Sequence, residues 1–197
     1  MNTPEPIKTR RTHAERRAET KASLLSAARE LFIEKSFAHT ATPEVVKKAG
    51  VTRGALYHHF VDKTDLFRAV VAIESQAIAV AIEQATLDAA DPDEAMVIGT
   101  NAYFSAMAVP GRAKILLIEA PAILGQEEAL EFNKHQGSEQ LKDGLRETKP
   151  ELNAAELDAL SNVLSSAFDR AALEIARGGD QQSYVKALFL LISTTTN

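Results

Sequence analysis

Apolar residues along this chain recur almost everywhere at intervals of three and four, the spacing that lines one face of an α-helix. Over residues 16–35, Leu24, Leu25, Ala28, Leu31 and Phe32 make one such stripe. Two short apolar-faced segments follow, at about 43–49 and 53–60. Asp62, with Asp65 three residues on, reads as a helix N-cap. It opens a long helix to about residue 87, striped by Leu66, Val70, Ile73 and Ala77. Asp91-Pro92 ends that run and starts the next, to about 108, and Val109-Pro110-Gly111 is a break. A further helix carries Ile115, Leu116 and Ile118, with Pro121 expected to kink or end it. Another is expected over 127–147. Asn153 with Glu156 resembles a capping box, opening a helix to about 177 that Gly178-Gly179 stops. Asp180 caps the last helix, which holds Tyr184, Val185, Leu188, Phe189 and Ile192. No stretch alternates like a half-buried strand for more than a few positions, and no repeat or low-complexity tract is present. The pattern predicts an all-α protein.

One stretch is denser in information than the rest: Thr42-Pro-Glu-Val-Val-Lys-Lys-Ala-Gly50-Val-Thr-Arg-Gly-Ala-Leu-Tyr-His-His-Phe60. Thr42 is placed to cap the first short helix, with Pro43 where a missing N–H costs nothing. Val45, Val46 and Ala49 face inward. Gly50 permits the left-handed backbone of a tight turn, and Val51 plugs the gap between the helices. Thr52 caps the second helix, where Leu56 and Phe60 point inward at i and i+4. Arg53, Gly54, Ala55, Tyr57, His58 and His59 are left outside. Two short helices about a glycine turn form a helix-turn-helix, whose second helix offers its N-terminal residues to base edges in the major groove.

Net charge is −5, which by itself argues against a polyanionic partner. Its distribution reverses that: residues 1–70 carry 13 Lys/Arg against 8 Asp/Glu, and residues 71–197 carry 9 against 19. The N-terminal part is thus net positive and the remainder net negative, so one end is suited to nucleic acid. The absence of cysteine excludes disulfides, thiolate metal sites and cysteine nucleophiles, and fits a reducing cytoplasm. No secretory signal or membrane-length apolar run is visible, so a cytoplasmic protein with no membrane partner is expected. There is no His-Glu-x-x-His, no Gly-x-Ser-x-Gly and no phosphate-binding glycine loop. Glu131 and His135 lie one helical turn apart with no evident third ligand. The chain is read as not an enzyme, with no metal and no cofactor.

The stretch from about Ser23 to Val71 closely resembles the tetracycline-repressor (TetR) family. The resemblance rests on Ala27-Ala28-x-Glu30-Leu-Phe32, the helix from Thr42 to Gly50, Val51-Thr-x-Gly54-x-Leu56-Tyr57-x-His59-Phe60, and Asp62-Lys63-x-x-Leu66. Two positions depart from the family pattern: Ser36 where glycine is usual after the first helix, and Val46 where alanine is usual. Both concern local packing of the turn. The resemblance implies two-fold dimers that repress genes and leave DNA when a small molecule enters the C-terminal domain. It also implies that the last two helices build a dimeric four-helix bundle. An activator or adaptor on the same fold is the alternative that a reporter assay separates.

The expected organisation is a flexible basic arm over 1–15, a helix-turn-helix domain over 16–62 and a ligand-binding and dimerisation domain over 63–197. Partners are a palindromic double-stranded operator, a second copy of the chain and a small-molecule inducer. DNA contacts are expected from Thr42, Thr52, Arg53, Gly54, Ala55, Tyr57, His58, His59 and Lys63. Arg53 and Lys63 are cations at helix starts, where the helix dipole opposes them unless an anion is near. Gly54 is a poor helix former, explained by close approach of backbone to DNA. Thr42 and Tyr57 offer hydroxyls to phosphate, and Arg10, Arg11, Arg16 and Arg17 could reach DNA from the arm. A mostly apolar ligand cavity is expected from Tyr103, Phe104, Met107, Ile118, Phe132, His135 and Phe168. Leu160, Leu164, Phe168, Leu188 and Ile192 are expected to hold the dimer.

Overall fold

The computed structural model describes residues 12–194, without the side chains of Asn133, His135, Gln136 and Thr194. Arg10 and Arg11 of the expected arm lie outside the described residues. Those that are described form eleven α-helices joined by turns, with no strand among them. The chain divides into two compact units between Phe67 and Arg68, inside a single helix.

The first unit begins with α1, His13–Lys35. Thr12 and Glu15 close a reciprocal capping box, Glu15 N–H donating to Thr12 Oγ1 at 3.2 Å and Thr12 N–H to the Glu15 carboxylate at 2.7 Å. The helix therefore starts three residues earlier than its apolar stripe suggests, and Arg16 and Arg17 lie on its first turns, not in an arm. Helices α2 (Thr42–Ala49) and α3 (Arg53–His59) pack on α1 and on each other. Two ion pairs clamp α1 to α2: Lys35 to Glu44, and Lys48 to Glu30 at 2.9 Å. Leu24, Phe32, Val45, Leu56, Leu66 and Phe67 are fully buried and make the core. Phe32, Phe37 and Phe67 meet edge-on or tilted, with ring centroids 5.1–5.7 Å apart. Ser36 ends α1 with φ 72° and ψ 164°, a glycine-like conformation kept by a serine where the family usually has glycine. Its backbone carbonyl accepts the Thr40 hydroxyl at 2.8 Å, and its own hydroxyl meets His39 Nδ1 at 3.1 Å.

Helix α4, Lys63–Thr86, is capped by Asp62, which accepts Asp65 N–H at 2.7 Å. Its inward stripe is Leu66, Phe67, Val70, Val71, Ile78 and Ile82; Ile73, expected inside, is half exposed. The second unit adds α5 (Pro92–Met107), capped by Asp91 through Glu94 N–H at 2.8 Å. Then come α6 (Arg112–Lys114), a π-helical turn over Ile115–Glu119 and α7 (Ala120–Leu124). The wide turn has a cause in sequence. Pro121 lacks the N–H an α-helix needs, and Ala120 N–H reaches back five residues to the Ile115 carbonyl.

The single helix expected over 127–147 is instead α8 (Gln126–Asn133) and α9 (Glu139–Thr148), parted by a kink at Gly137 with φ 111°. Long helices α10 (Ala154–Ala176) and α11 (Gln181–Thr194) complete the unit. Asn153 and Glu156 form the expected capping box on α10. Arg112 and Glu74 form a buried ion pair, Nε to Oε2 2.8 Å, with Arg112 Nη1 also donating to the Ala106 carbonyl at 2.7 Å. No helix among the described residues is long and apolar enough to cross a membrane.

Candidate DNA-binding surface and ligand cavity

The helix-turn-helix is built from local rules. Gly50 takes the left-handed conformation, φ 67° and ψ 28°, and its N–H bonds to the Lys47 carbonyl at 3.2 Å. Val51 N–H then bonds to Val46 O at 3.2 Å, turning the chain directly into α3. Thr52 caps α3 by accepting Ala55 N–H at 3.2 Å. Leu56 and Phe60 are buried, so α3 is seated on the unit by one face only.

On the other face stand Arg53, Gly54, Tyr57 and His58, all exposed. The Arg53 guanidinium lies 5.5 Å from the Tyr57 ring centroid, and Tyr57 is 45% exposed for so large a side chain. Ala55 and His59 are half-buried. The His59 imidazole is held below its usual pKa by burial, and further by His58, Arg17 and Lys21. A Cβ on Gly54 would approach nothing nearer than Thr52 Oγ1 at 3.9 Å, and its backbone is ordinary helix. Nothing among the described residues therefore requires glycine there.

Two sequence-based placements change. Thr42 is the first residue of α2 and Ala41 occupies the cap position. There Ala41 N–H donates to Glu44 at 3.0 Å, so the cap expected of the Thr42 side chain is replaced by a carboxylate reaching back. Lys63 was expected to need an outside anion. Its ammonium donates to the carbonyls of Phe37 at 2.9 Å and Thr40 at 3.0 Å, and sits 4.1 Å from the Phe37 ring centroid. Those partners offset the unfavourable dipole and tie α4 to the α1–α2 loop.

The second unit contains a cavity of about 260 Å³ walled by α4, α5, the Gly137 kink, α9 and α10. Its apolar walls include Ile82, Met96, Leu141 and Phe168. Its polar walls include Thr100, Tyr103, Ser138, Asp143, Glu147, Ser165 and Asp169. Tyr103 donates to Asp169 Oδ1 at 2.8 Å, and Ser165 to Ser138 Oγ at 3.1 Å. Burial pushes the Asp169 carboxyl up to about 6, against the lowering effect of the Tyr103 bond. Tyr103 is raised well above its usual value by burial first and then by Asp169. Gly137 opens the wall, because a Cβ there would stand 2.6 Å from Ile82 Cδ1.

Of the seven residues expected to line a cavity, Tyr103 and Phe168 do so. Phe104 and Met107 are fully buried core on α5, on neither of which the cavity opens. Ile118 is half exposed on the π-helical turn, and Phe132 gives its carbonyl to Ser75 at 2.8 Å without lining the cavity. The His135 side chain lies outside the described set. Asp169 and Thr100 were missed. The available signal was Ser161, Ser165 and Asp169, a polar row at intervals of four beside the inward row Leu157, Leu164, Phe168.

The expected dimer residues also move. Leu164, Phe168, Leu188 and Ile192 are buried within the single chain and Leu160 is partly so. The large exposed apolar residues described on the last two helices are Val163 at 67%, Leu190 at 65% and Leu191 at 52%.

Comparison with known proteins agrees with this architecture. Residues 24–70 match the family described as bacterial regulatory proteins, tetR family, and residues 93–193 match the tetracyclin repressor-like C-terminal domain. Over 62 residues the chain is 45% identical to the HTH-type transcriptional repressor BepR of Brucella suis, covering 32% of this chain and 29% of that protein. The match thus spans under a third of that curated relative. A crystal structure of a TetR-family transcriptional regulator from Pectobacterium atrosepticum is 28% identical with TM-score 0.68, covering 94% of this chain and 96% of that one. The regulator LfrR of Mycobacterium smegmatis, solved in complex with proflavine, shares the fold at 19% identity and TM-score 0.65, covering 90% and 96%. With both halves matched, the chain belongs to the TetR family of bacterial regulatory proteins.

Proposed function

We propose that this protein is a homodimeric transcriptional repressor that binds a palindromic operator through α3 and leaves it when a small molecule occupies the second unit. The observation that carries the DNA reading is the outer face of α3. Arg53, Gly54, Tyr57 and His58 make an exposed basic and aromatic surface that contributes nothing to the core. Gly54 is a glycine for which the described residues supply no reason. Thr52, Ala55 and His59 belong to or cap the same helix, Thr42 offers a hydroxyl at the start of α2, and Lys63 acts first by holding the α1–α2 loop. Recognition by base edges and phosphates explains both the charge and the missing side chain.

Dimer formation is assigned to the outer faces of α10 and α11, where Val163, Leu190 and Leu191 leave apolar surface in water. The inducer is assigned to the cavity. Helix α4 carries Ile82 and Thr86 on its wall and, at its other end, Lys63 bonded to the loop before α2. A ligand that displaces the wall acts on a helix shared by both units.

Gly54→Ala tests the DNA reading. Alanine is the better helix former by about 1 kcal/mol, so thermal stability should hold or rise while operator affinity falls. The operator duplex is recovered by selection from random sequence with this protein. Undiminished affinity in a variant of raised stability would remove α3 from the interface.

A further inference from the structure

We infer that the cavity of the second unit recognises a small organic cation, an apolar or aromatic body bearing one protonated nitrogen seated against Asp169 and Thr100. This rests on the reading of that cavity as the inducer site. Three independent features point to it.

The first is an unsatisfied group. Thr100 is 3% exposed and lines the cavity, yet its hydroxyl oxygen has no hydrogen-bond partner among the described residues. Buried hydroxyls are nearly always bonded, and an orphan costs about 1–3 kcal/mol. A ligand N–H would supply what the hydroxyl oxygen lacks.

The second is charge. Among the described residues the walls hold three carboxyl groups, Asp143, Glu147 and Asp169, and no lysine or arginine. Asp143 is engaged by Arg146 at the exposed rim, and Glu147 is also exposed, whereas Asp169 lies deeper with Tyr103. An anionic ligand would meet repulsion from every ionised wall group. A cation meets attraction that the partly dry surroundings strengthen.

The third is shape. Ile82, Met96 and Phe168 give the remaining walls an apolar lining, and the glycine at 137 keeps space open against Ile82. Burial that raises the Asp169 carboxyl is relieved when a cation replaces the missing solvent.

The test uses full-length protein at pH 7.5 and three probes with one body: naphthylmethylamine, naphthylmethanol and naphthylacetate. Isothermal titration should rank the amine at least about tenfold tighter than the alcohol, the gain of one charged hydrogen bond, with the carboxylate weakest. Asp169→Asn should bring amine and alcohol within about threefold of each other, and Thr100→Val should weaken the amine severalfold, with helical circular dichroism retained in both. An alcohol or carboxylate binding as tightly as the amine to the unaltered protein overturns the inference, without reliance on any variant. So does an amine preference that survives Asp169→Asn, or no amine binding at millimolar concentration. Anisotropy of the selected operator separates this from the inducer reading. Amine binding that leaves DNA bound sustains the cation site and ends the inducer role. Release of DNA by the alcohol alone does the reverse.

Discussion

At three side chains, favourable and unfavourable interactions oppose one another. Arg53 sits at the start of α3, where the helix dipole disfavours a cation, and its guanidinium lies 5.5 Å from the Tyr57 ring centroid. Arg53→Ala should therefore lose sequence discrimination of about 1–3 kcal/mol per wrong base with little change in thermal stability. Competition between operator and random duplex at one salt concentration measures it; equal losses on both would assign Arg53 to phosphate alone. Ser36 holds a backbone conformation that glycine adopts freely, at a strain of about 1–3 kcal/mol. Ser36→Gly should raise the melting temperature even though the hydroxyl contact to His39 is lost. A lower melting temperature would mean that contact outweighs the strain.

Asp169 is raised to about 6 by burial, with Tyr103, Asp143 and Glu147 also at the cavity. A carboxyl raised on folding binds its proton more tightly in the native state, so its contribution is present at low pH and lost as pH rises through about 6. Asp169→Asn should accordingly stabilise the ligand-free protein more at pH 8 than at pH 5, where only part of the loss between the ordinary carboxyl value and about 6 has accrued. Melting curves at the two pH values check the sign.

At the scale of elements, long-range polar contacts decide how helices meet. Lys63 reaches carbonyls 26 and 23 residues earlier in the chain. Its truncation to alanine should destabilise the first unit by about 1–3 kcal/mol, the worth of hydrogen bonds to a charged group. The third ammonium N–H remains for phosphate. If it reaches DNA, Lys63→Ala also flattens the slope of log K against log salt by about one per subunit. An unchanged slope beside a lowered melting temperature makes Lys63 a positioning residue. Arg112 and Glu74, 38 residues apart, join α4 to α6 inside the core. Removing one partner of such a pair strands the other charge, at a loss of about 3–5 kcal/mol. Arg112→Ala should therefore be among the most damaging substitutions in the second unit, measured by denaturant unfolding.

At the scale of the whole molecule, the proposed dimer rests on the outer faces of α10 and α11. Val163 and Leu190 put apolar area in water on successive helices, which association would remove at about 25 cal/mol per Å². Val163→Arg with Leu190→Arg should yield a folded monomer by sedimentation and a large loss of operator affinity, because two half-sites must be held together. A dimer indifferent to both charges places the interface on another face. The charge division between chain halves belongs to this scale as well. The positive end carries α3, and the acidic remainder carries a cavity whose described walls are acidic too.

Helix type, most helix ends and the helix-turn-helix were legible in sequence because each depends on neighbours within a few residues. Caps at Thr52, Asp62, Asp91 and Asn153, the turn at Gly50 and the stripes at helical spacing are rules of that kind. The capping box at Thr12 was equally local, but the apolar stripe starts later and drew the boundary to it. Periodicity says that Tyr103, Phe104, Met107 and Phe168 face inward, but not which of them meets empty space. The cavity is assembled from α4, α5, α9 and α10, so its membership depends on how distant helices pack. The same holds for Asp169 against Tyr103, Lys63 against the α1–α2 loop and Glu74 against Arg112. Short-range physical chemistry determined what kind of protein this is, and only tertiary packing decided which polar groups were buried together and what they are able to bind.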